Sequence, residues 1–183
     1  MKRGIIYIVL AIVIFGVSFG VASLIKDKNK YDFSAQSING KVTMSSFNGK
    51  YKIFYFGYTF CPDVCPTALS LLSAALEDNP RKNEVLVVFI TLDPERDKVK
   101  ESDEFVKYFY PYSVGIVAED LPKMASNFGV KYQKVDLKDS KMQYSVAHSS
   151  AIYLFDKNGK FVKEVTNLTM QEIQSSIDEL LKH

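Results

Sequence analysis

Lys52-Ile53-Phe54-Tyr55-Phe56-Gly57-Tyr58-Thr59-Phe60-Cys61-Pro62-Asp63-Val64-Cys65-Pro66-Thr67 is the stretch on which the reading of this chain turns. It opens as a short, almost continuously apolar run over Lys52 to Tyr58, the pattern of a strand buried on both faces. Two cysteines four residues apart follow, each trailed by a proline. From Thr67 to Glu77, Ala68, Leu69, Leu72, Ala75 and Leu76 then fall on one helical stripe. Strand, cysteine loop and helix thus follow one another without a gap. Cys61 and Cys65 are the only cysteines of the 183 residues, and His148 is the only histidine apart from the C-terminal His183, which is assigned no role.

In an open α/β sheet, active loops lie beyond the carboxyl ends of the strands. The cysteines follow such an end directly, so they are expected to be displayed rather than buried. Pro62 and Pro66 suit a stiff loop and the first turn of a helix. Free amides at a helix N-terminus stabilise a thiolate, which favours both redox exchange and metal binding. Spacing separates those two uses only in part. Residues at i and i+4 of a regular helix hold their Cβ atoms about 5–6 Å apart, whereas a disulfide needs about 3.5–4.5 Å. Two metal–sulfur bonds of about 2.3 Å bridge sulfurs up to roughly 4.6 Å apart. The pair therefore suits a metal, and oxidises only where the loop departs from ideal helix. A structural disulfide and two inert thiols are the plainer readings. The first constrains so small a loop little, and the second sits poorly with two flanking prolines.

Towards the N-terminus, Gly4 to Ile25 carries no charged residue. As a helix it would span roughly 33 Å, enough to cross a hydrocarbon core. It is longer than the roughly 7–15-residue apolar region of a cleaved signal, and an uncleaved membrane anchor is expected. Lys2 and Arg3 precede it and Lys26, Lys28 and Lys30 follow, so flanking charge hardly sets orientation. The short N-terminus favours an exported domain, attached to the cell membrane by a single pass. Residues 1–30 are read as anchor and linker, and 31–183 as one domain with 18 basic and 20 acidic residues. A formal charge of −2 excludes the basic surface that nucleic acid requires.

Further along, Asn39-Gly40 marks a hairpin leading the domain, and Asn48-Gly49 marks a second turn. Val85 to Leu92 reads as another buried strand, stopped at Asp93-Pro94. Val99, Phe105, Val106 and Phe109 suit a helix, Val114 to Val117 a short strand, and Leu121, Met124, Ala125 and Phe128 an amphipathic helix. Ala151 to Phe155 and Phe161 to Val165 flank the turn Asp156-Lys157-Asn158-Gly159-Lys160. Thr169 with Glu172 caps a closing helix that carries Ile173, Ile177, Leu180 and Leu181. The order implies an α/β sandwich around a central mixed sheet.

Phe56 to Thr67 closely resembles the signature of the Sco/SenC family, membrane-anchored thioredoxin-fold proteins that assist copper insertion into cytochrome c oxidase. Thr91-Leu92-Asp93-Pro94-Glu95-Arg96-Asp97 and Val146-Ala147-His148-Ser149-Ser150 are similar to that family's second and third motifs. The resemblance implies a thioredoxin-like domain with Cys61, Cys65 and His148 as copper ligands. It also implies subunit II of the oxidase, or a related copper-site apoprotein, as recipient, together with a copper donor and a thiol reductant. Thiolates select Cu(I), and an added imidazole lets the site hold Cu(II) as well. Ser150 stands where thioredoxins place the cis-proline that faces their cysteines, so His148 is expected to reach the loop. The chain departs from the family at Ala147, where many members carry aspartate beside the histidine. Asp93 and Asp97 either support the site or dock a partner, or they form a turn and a helix cap after the strand. Asp63 is a candidate for tuning the thiolates, and Met124 and Met142 are candidate sulfur donors, Met124 fitting the core better. Cys61 and Cys65 also form a redox-active pair, so a thiol–disulfide reductase that keeps the target's cysteines reduced is the alternative. Peroxidase chemistry is weaker, because Tyr58 stands where peroxiredoxins place threonine.

Overall fold

The computed structural model describes residues 30–138 and 140–183, within which Phe33–His183 forms one compact unit. The candidate anchor, Gly4 to Ile25, lies outside the described residues. Among those described, no helix is long and apolar enough to cross a membrane.

The unit opens with the expected hairpin, β1 (Ala35–Ser37) and β2 (Gly40–Val42). The buried run forms β3 (Tyr51–Gly57), and the helix after the cysteine loop is α1 (Val64–Glu77). There follow β4 (Val85–Thr91), α2 (Val99–Phe109), β5 (Ser113–Ala118) and α3 (Leu121–Phe128). A pair of strands that the sequence pattern does not announce comes next, β6 (Tyr132–Asp136) and β7 (Tyr144–His148). The chain closes with β8 (Ile152–Phe155), β9 (Phe161–Val165) and α4 (Met170–Leu180). The side chain of Thr169 caps α4 by accepting from the Glu172 amide.

Seven strands form one mixed sheet in the order β2-β1-β5-β4-β3-β8-β9. β3, β4 and β5 are parallel neighbours, and β8 lies antiparallel on the other side of β3. β3 is therefore an interior strand, buried along its whole length, and its carboxyl end delivers the chain to the cysteine loop. Alternation along β3 sends Phe54 and Phe56 to one face, where their rings meet Phe128 of α3. Tyr55 faces the other side beside Phe89, which in turn meets Phe105 of α2.

The backbone of α2 comes close against β5 at Gly115. A Cβ on Gly115 of β5 would stand 2.2–2.4 Å from backbone atoms of Ser102 and Asp103, so only glycine fits there. The Gly115 amide donates to the buried Asp103 carboxylate at 3.2 Å.

Candidate metal centre

α1 begins at Val64, three residues earlier than the apolar stripe indicates, so Cys65 lies in its first turn and Cys61 in the loop before it. The expectation that both cysteines are displayed is therefore wrong for one of them. Cys65 is fully buried, turned onto β3, while Cys61 is half-buried. Burial of Cys65 follows from the missing side chain of Gly57, since a Cβ there would stand 2.9 Å from its sulfur. Because Cys61 precedes the helix, the two sulfurs are not held at the helical i, i+4 separation. The Cys65 amide donates to the Cys61 sulfur at 3.4 Å. Both cysteines are free thiols.

His148 closes β7, the strand preceding β8 and the one not foreseen from sequence. The Nε2 atom stands 3.6 Å from the Cys65 sulfur. Nδ1 lies 3.0 Å from the Ser149 carbonyl, and a carbonyl can only accept. Nδ1 therefore carries the proton, and Nε2 presents its lone pair towards the sulfur. Tyr58, buried beneath the loop, meets the imidazole edge-on with ring centroids 6.2 Å apart. The gap between the cysteine loop and β7 is a cavity of about 330 Å³ lined by Cys61, Pro62, Ser145, Val146, His148 and Ser150 among others.

The two thiols are electrostatically unequal. The Cys65 side chain donates to Cys61, and backbone amides of Cys65 and Asp63 add to it, lowering the Cys61 pKa to about 5 against its burial. Cys65 is pushed upward by that same hydrogen bond and by burial. The pair thus shares one proton, held on Cys65. Asp63 acts here through its amide; its carboxylate accepts from the Thr67 hydroxyl instead.

The second motif supplies the scaffold. Asp97, fully buried, accepts from the Thr59 amide and Thr91 hydroxyl at 2.8 Å each, and from the Thr59 hydroxyl. It ties the start of the cysteine loop to the end of β4. Asp93, also buried, accepts from the Tyr144 hydroxyl at 2.8 Å and pairs with Arg96. Both aspartates therefore support the site rather than merely capping a turn. Arg96 reaches the Met142 and Tyr144 carbonyls at 3.0 and 3.1 Å. Its guanidinium lies 3.7 Å from the Tyr144 ring centroid and 4.8 Å from that of Phe60. One side chain thus joins the residue before Cys61 to the strand that carries His148. Sequence reasoning did not single out Arg96, Tyr144 or Tyr55; the one available signal was that Arg96 lies within the second motif.

Met124 is buried in the core, as its stripe indicates. Met142 offers a carbonyl to Arg96. Ala147 is exposed, and His183 lies at the terminus away from these contacts. Among the described residues, no group of three or more His, Cys, Asp or Glu side chains is converged tightly enough to hold an ion as it stands. Cys65 and His148 are already opposed at 3.6 Å.

Cys65 faces His148 across 3.6 Å, its amide meets the Cys61 sulfur, and each of these three sequence-predicted ligands comes from a different element. The SCO1/SenC family model matches residues 23–182. The chain belongs to the SCO1/SenC family. Among SCO1/SenC relatives it is 39% identical over 149 residues to a mitochondrial SCO1 homologue of Arabidopsis thaliana, covering 79% of this chain and 41% of that protein. It is 37% identical over 136 residues to a SCO2-like protein of Rickettsia felis, covering 72% of this chain and 66% of the relative. The chain thus spans less than two thirds of these relatives' lengths. The crystal structure of Arabidopsis thaliana ScoI with copper bound superposes with a TM-score of 0.74 at 35% identity, covering 82% of this chain and 96% of that one. Thioredoxin-like architecture with a central mixed sheet is thereby established for the described domain.

Proposed function

We propose that this protein is a membrane-anchored copper-binding assembly factor that accepts copper at Cys61, Cys65 and His148. It passes the ion to the dinuclear CuA centre of cytochrome c oxidase subunit II on the extracytoplasmic side. The observation that carries the reading is the 3.6 Å separation of the Cys65 sulfur from an Nε2 whose lone pair is free. Bonds of about 2.3 Å to sulfur and 2.0 Å to nitrogen at a tetrahedral angle place the two ligand atoms roughly 3.5 Å apart. Thiolate–imidazole donors suit copper in both oxidation states, and a relative of 35% identity is a copper-bound protein. A cysteine thiolate already formed at neutral pH loses no proton on binding the ion.

The unequal thiols favour a second reading, a thiol–disulfide reductase with Cys61 as the attacking thiolate and Cys65 as the resolving thiol. Such chemistry needs both sulfurs and not the imidazole. Complementation of oxidase assembly separates the two. His148→Ala and Cys61→Ser are expected to fail alike and to be relieved by added copper. Failure of Cys61→Ser alone would move the assignment to the reductase.

A further inference from the structure

Tyr55 is a buried titratable group that neither reading uses. Its side chain is wholly buried on the face of β3 against which Cys65 packs. The position a Cβ would take on Gly57 is 2.9 Å from the Cys65 sulfur and 3.2 Å from Tyr55 Cε1, so ring and sulfur flank the same small space. Among the described residues, the Tyr55 hydroxyl closes no hydrogen bond of ordinary geometry. The polar side chains that bear on it are those of Cys65 and Ser150. A buried hydroxyl without a partner costs stability, and phenylalanine would fill the same volume without that cost.

We propose that the Tyr55 hydroxyl is a positioning hydrogen-bond donor held for the Cys65 sulfur in its metal-bound form, where it limits how strongly that sulfur donates to copper. With copper bound, the Cys65 sulfur would carry negative charge inside a wall of Gly57, Phe89 and Tyr55. The hydroxyl is the donor already in place there. A hydrogen bond withdraws density from a thiolate and so tunes the reduction potential of copper bound to it. Less donation disfavours Cu(II) more than Cu(I), so this donor tilts the site towards Cu(I), the form that thiolates select.

The inference rests on the copper reading, and the test tells the two apart. The full chain in detergent, reduced, is loaded with one equivalent of Cu(II) as wild type, Tyr55→Phe and Tyr110→Phe, the last removing a buried hydroxyl that donates to the Lys82 carbonyl outside the site. The sulfur-to-copper charge-transfer absorption is recorded, and the ratio of Cu(I) to Cu(II) affinity is taken from chelator competition. Tyr55→Phe is expected to move the band to longer wavelength and to lower the ratio about five-fold, the worth of one ordinary hydrogen bond. Tyr110→Phe is expected to leave both in place. In the metal-free protein, Tyr55→Phe is expected to be as stable as wild type or more so. An unmoved band and ratio in Tyr55→Phe would overturn the proposal, as would an equal shift in Tyr110→Phe. A metal-free Tyr55→Phe that is less stable than wild type would also overturn it, since the hydroxyl would then serve the fold. A wild type with no charge-transfer band at all would instead defeat the copper reading beneath it.

Discussion

Replacing Gly57 by alanine tests whether the glycine that ends β3 exists to seat Cys65. The added Cβ would stand 2.9 Å from the Cys65 sulfur, 3.0 Å from Phe89 Cε2 and 3.2 Å from Tyr55 Cε1, where ordinary contact begins at 3.4 Å. The sulfur must therefore retreat by about 0.5 Å, more than twice the tolerance of about 0.2 Å on metal–ligand distances. Overpacking of a tight core costs about 1–3 kcal/mol, against which alanine recovers about 0.5–1 kcal/mol of backbone entropy in a strand. The net expectation is a loss of about 1–2 kcal/mol in urea unfolding of the full chain, with Cu(I) affinity lowered roughly 10–100-fold by competition with a chromophoric chelator. The cause is isolated by a double-mutant cycle. In a Cys65→Ala background the closest clash is gone, and Gly57→Ala should cost about 1 kcal/mol less than it does alone. Wild-type stability and copper affinity in Gly57→Ala, or coupling below about 0.3 kcal/mol, would refute this account of the burial of Cys65.

Two further tests address the thiols and the helix–sheet packing. Alkylation of Cys61 by iodoacetamide should reach half its plateau rate near pH 5, the value set by the Cys65 donor, and Cys65→Ala should move that midpoint upward. The folded value of about 5 lies below the ordinary thiol value of 9, so the unfolded state binds the extra proton between them. Thiol-linked stability should therefore fall as pH drops from 9 through 5. It should also decline above pH 9, where Cys65 is kept protonated by the fold; denaturant midpoints across that range check both limbs. Gly115→Ala places a methyl 2.2–2.4 Å from the backbone of α2, which has no side-chain freedom to yield. A loss of more than about 3 kcal/mol is expected, read as a collapsed urea midpoint.

Much of the scaffold was legible because its elements bury apolar faces with a regular period. β3, β4, α3 and α4 announce themselves in this way, and Asn39-Gly40 and the 156–160 turn carry their own turn chemistry. The β6–β7 arm was not legible for the same physical reason. Four of the five residues of β6 are exposed, and Val146 alone is buried in β7. A strand pair standing off the core has no apolar alternation to display, and polar contacts hold it: Tyr144 to Asp93, and Arg96 to two carbonyls. The three candidate ligands were named from residue type and resemblance, but their inequality was not. That Cys65 is buried depends on α1 starting at Val64 and on Gly57 lying beneath the sulfur, both of them tertiary facts.

The inequality bears on how one pair of sulfurs can serve either chemistry. Cys61 sits on a loop whose neighbours Phe60 and Val64 are each 49% exposed, whereas Cys65 and Tyr55 are closed to solvent. An incoming thiolate from another protein can approach Cys61 and cannot reach Cys65 without opening the loop. Ligand exchange and disulfide exchange would therefore begin at the same atom. What differs is the second step. In metal transfer, Cys65 and His148 hold the ion while Cys61 is replaced; in disulfide exchange, Cys65 must itself turn towards Cys61 to resolve the mixed disulfide. The 3.6 Å approach of His148 to Cys65 suits the first course, since the imidazole lone pair and that sulfur can hold one ion between them; in the second it would only help to draw the proton from Cys65, an assistance that the exchange does not require.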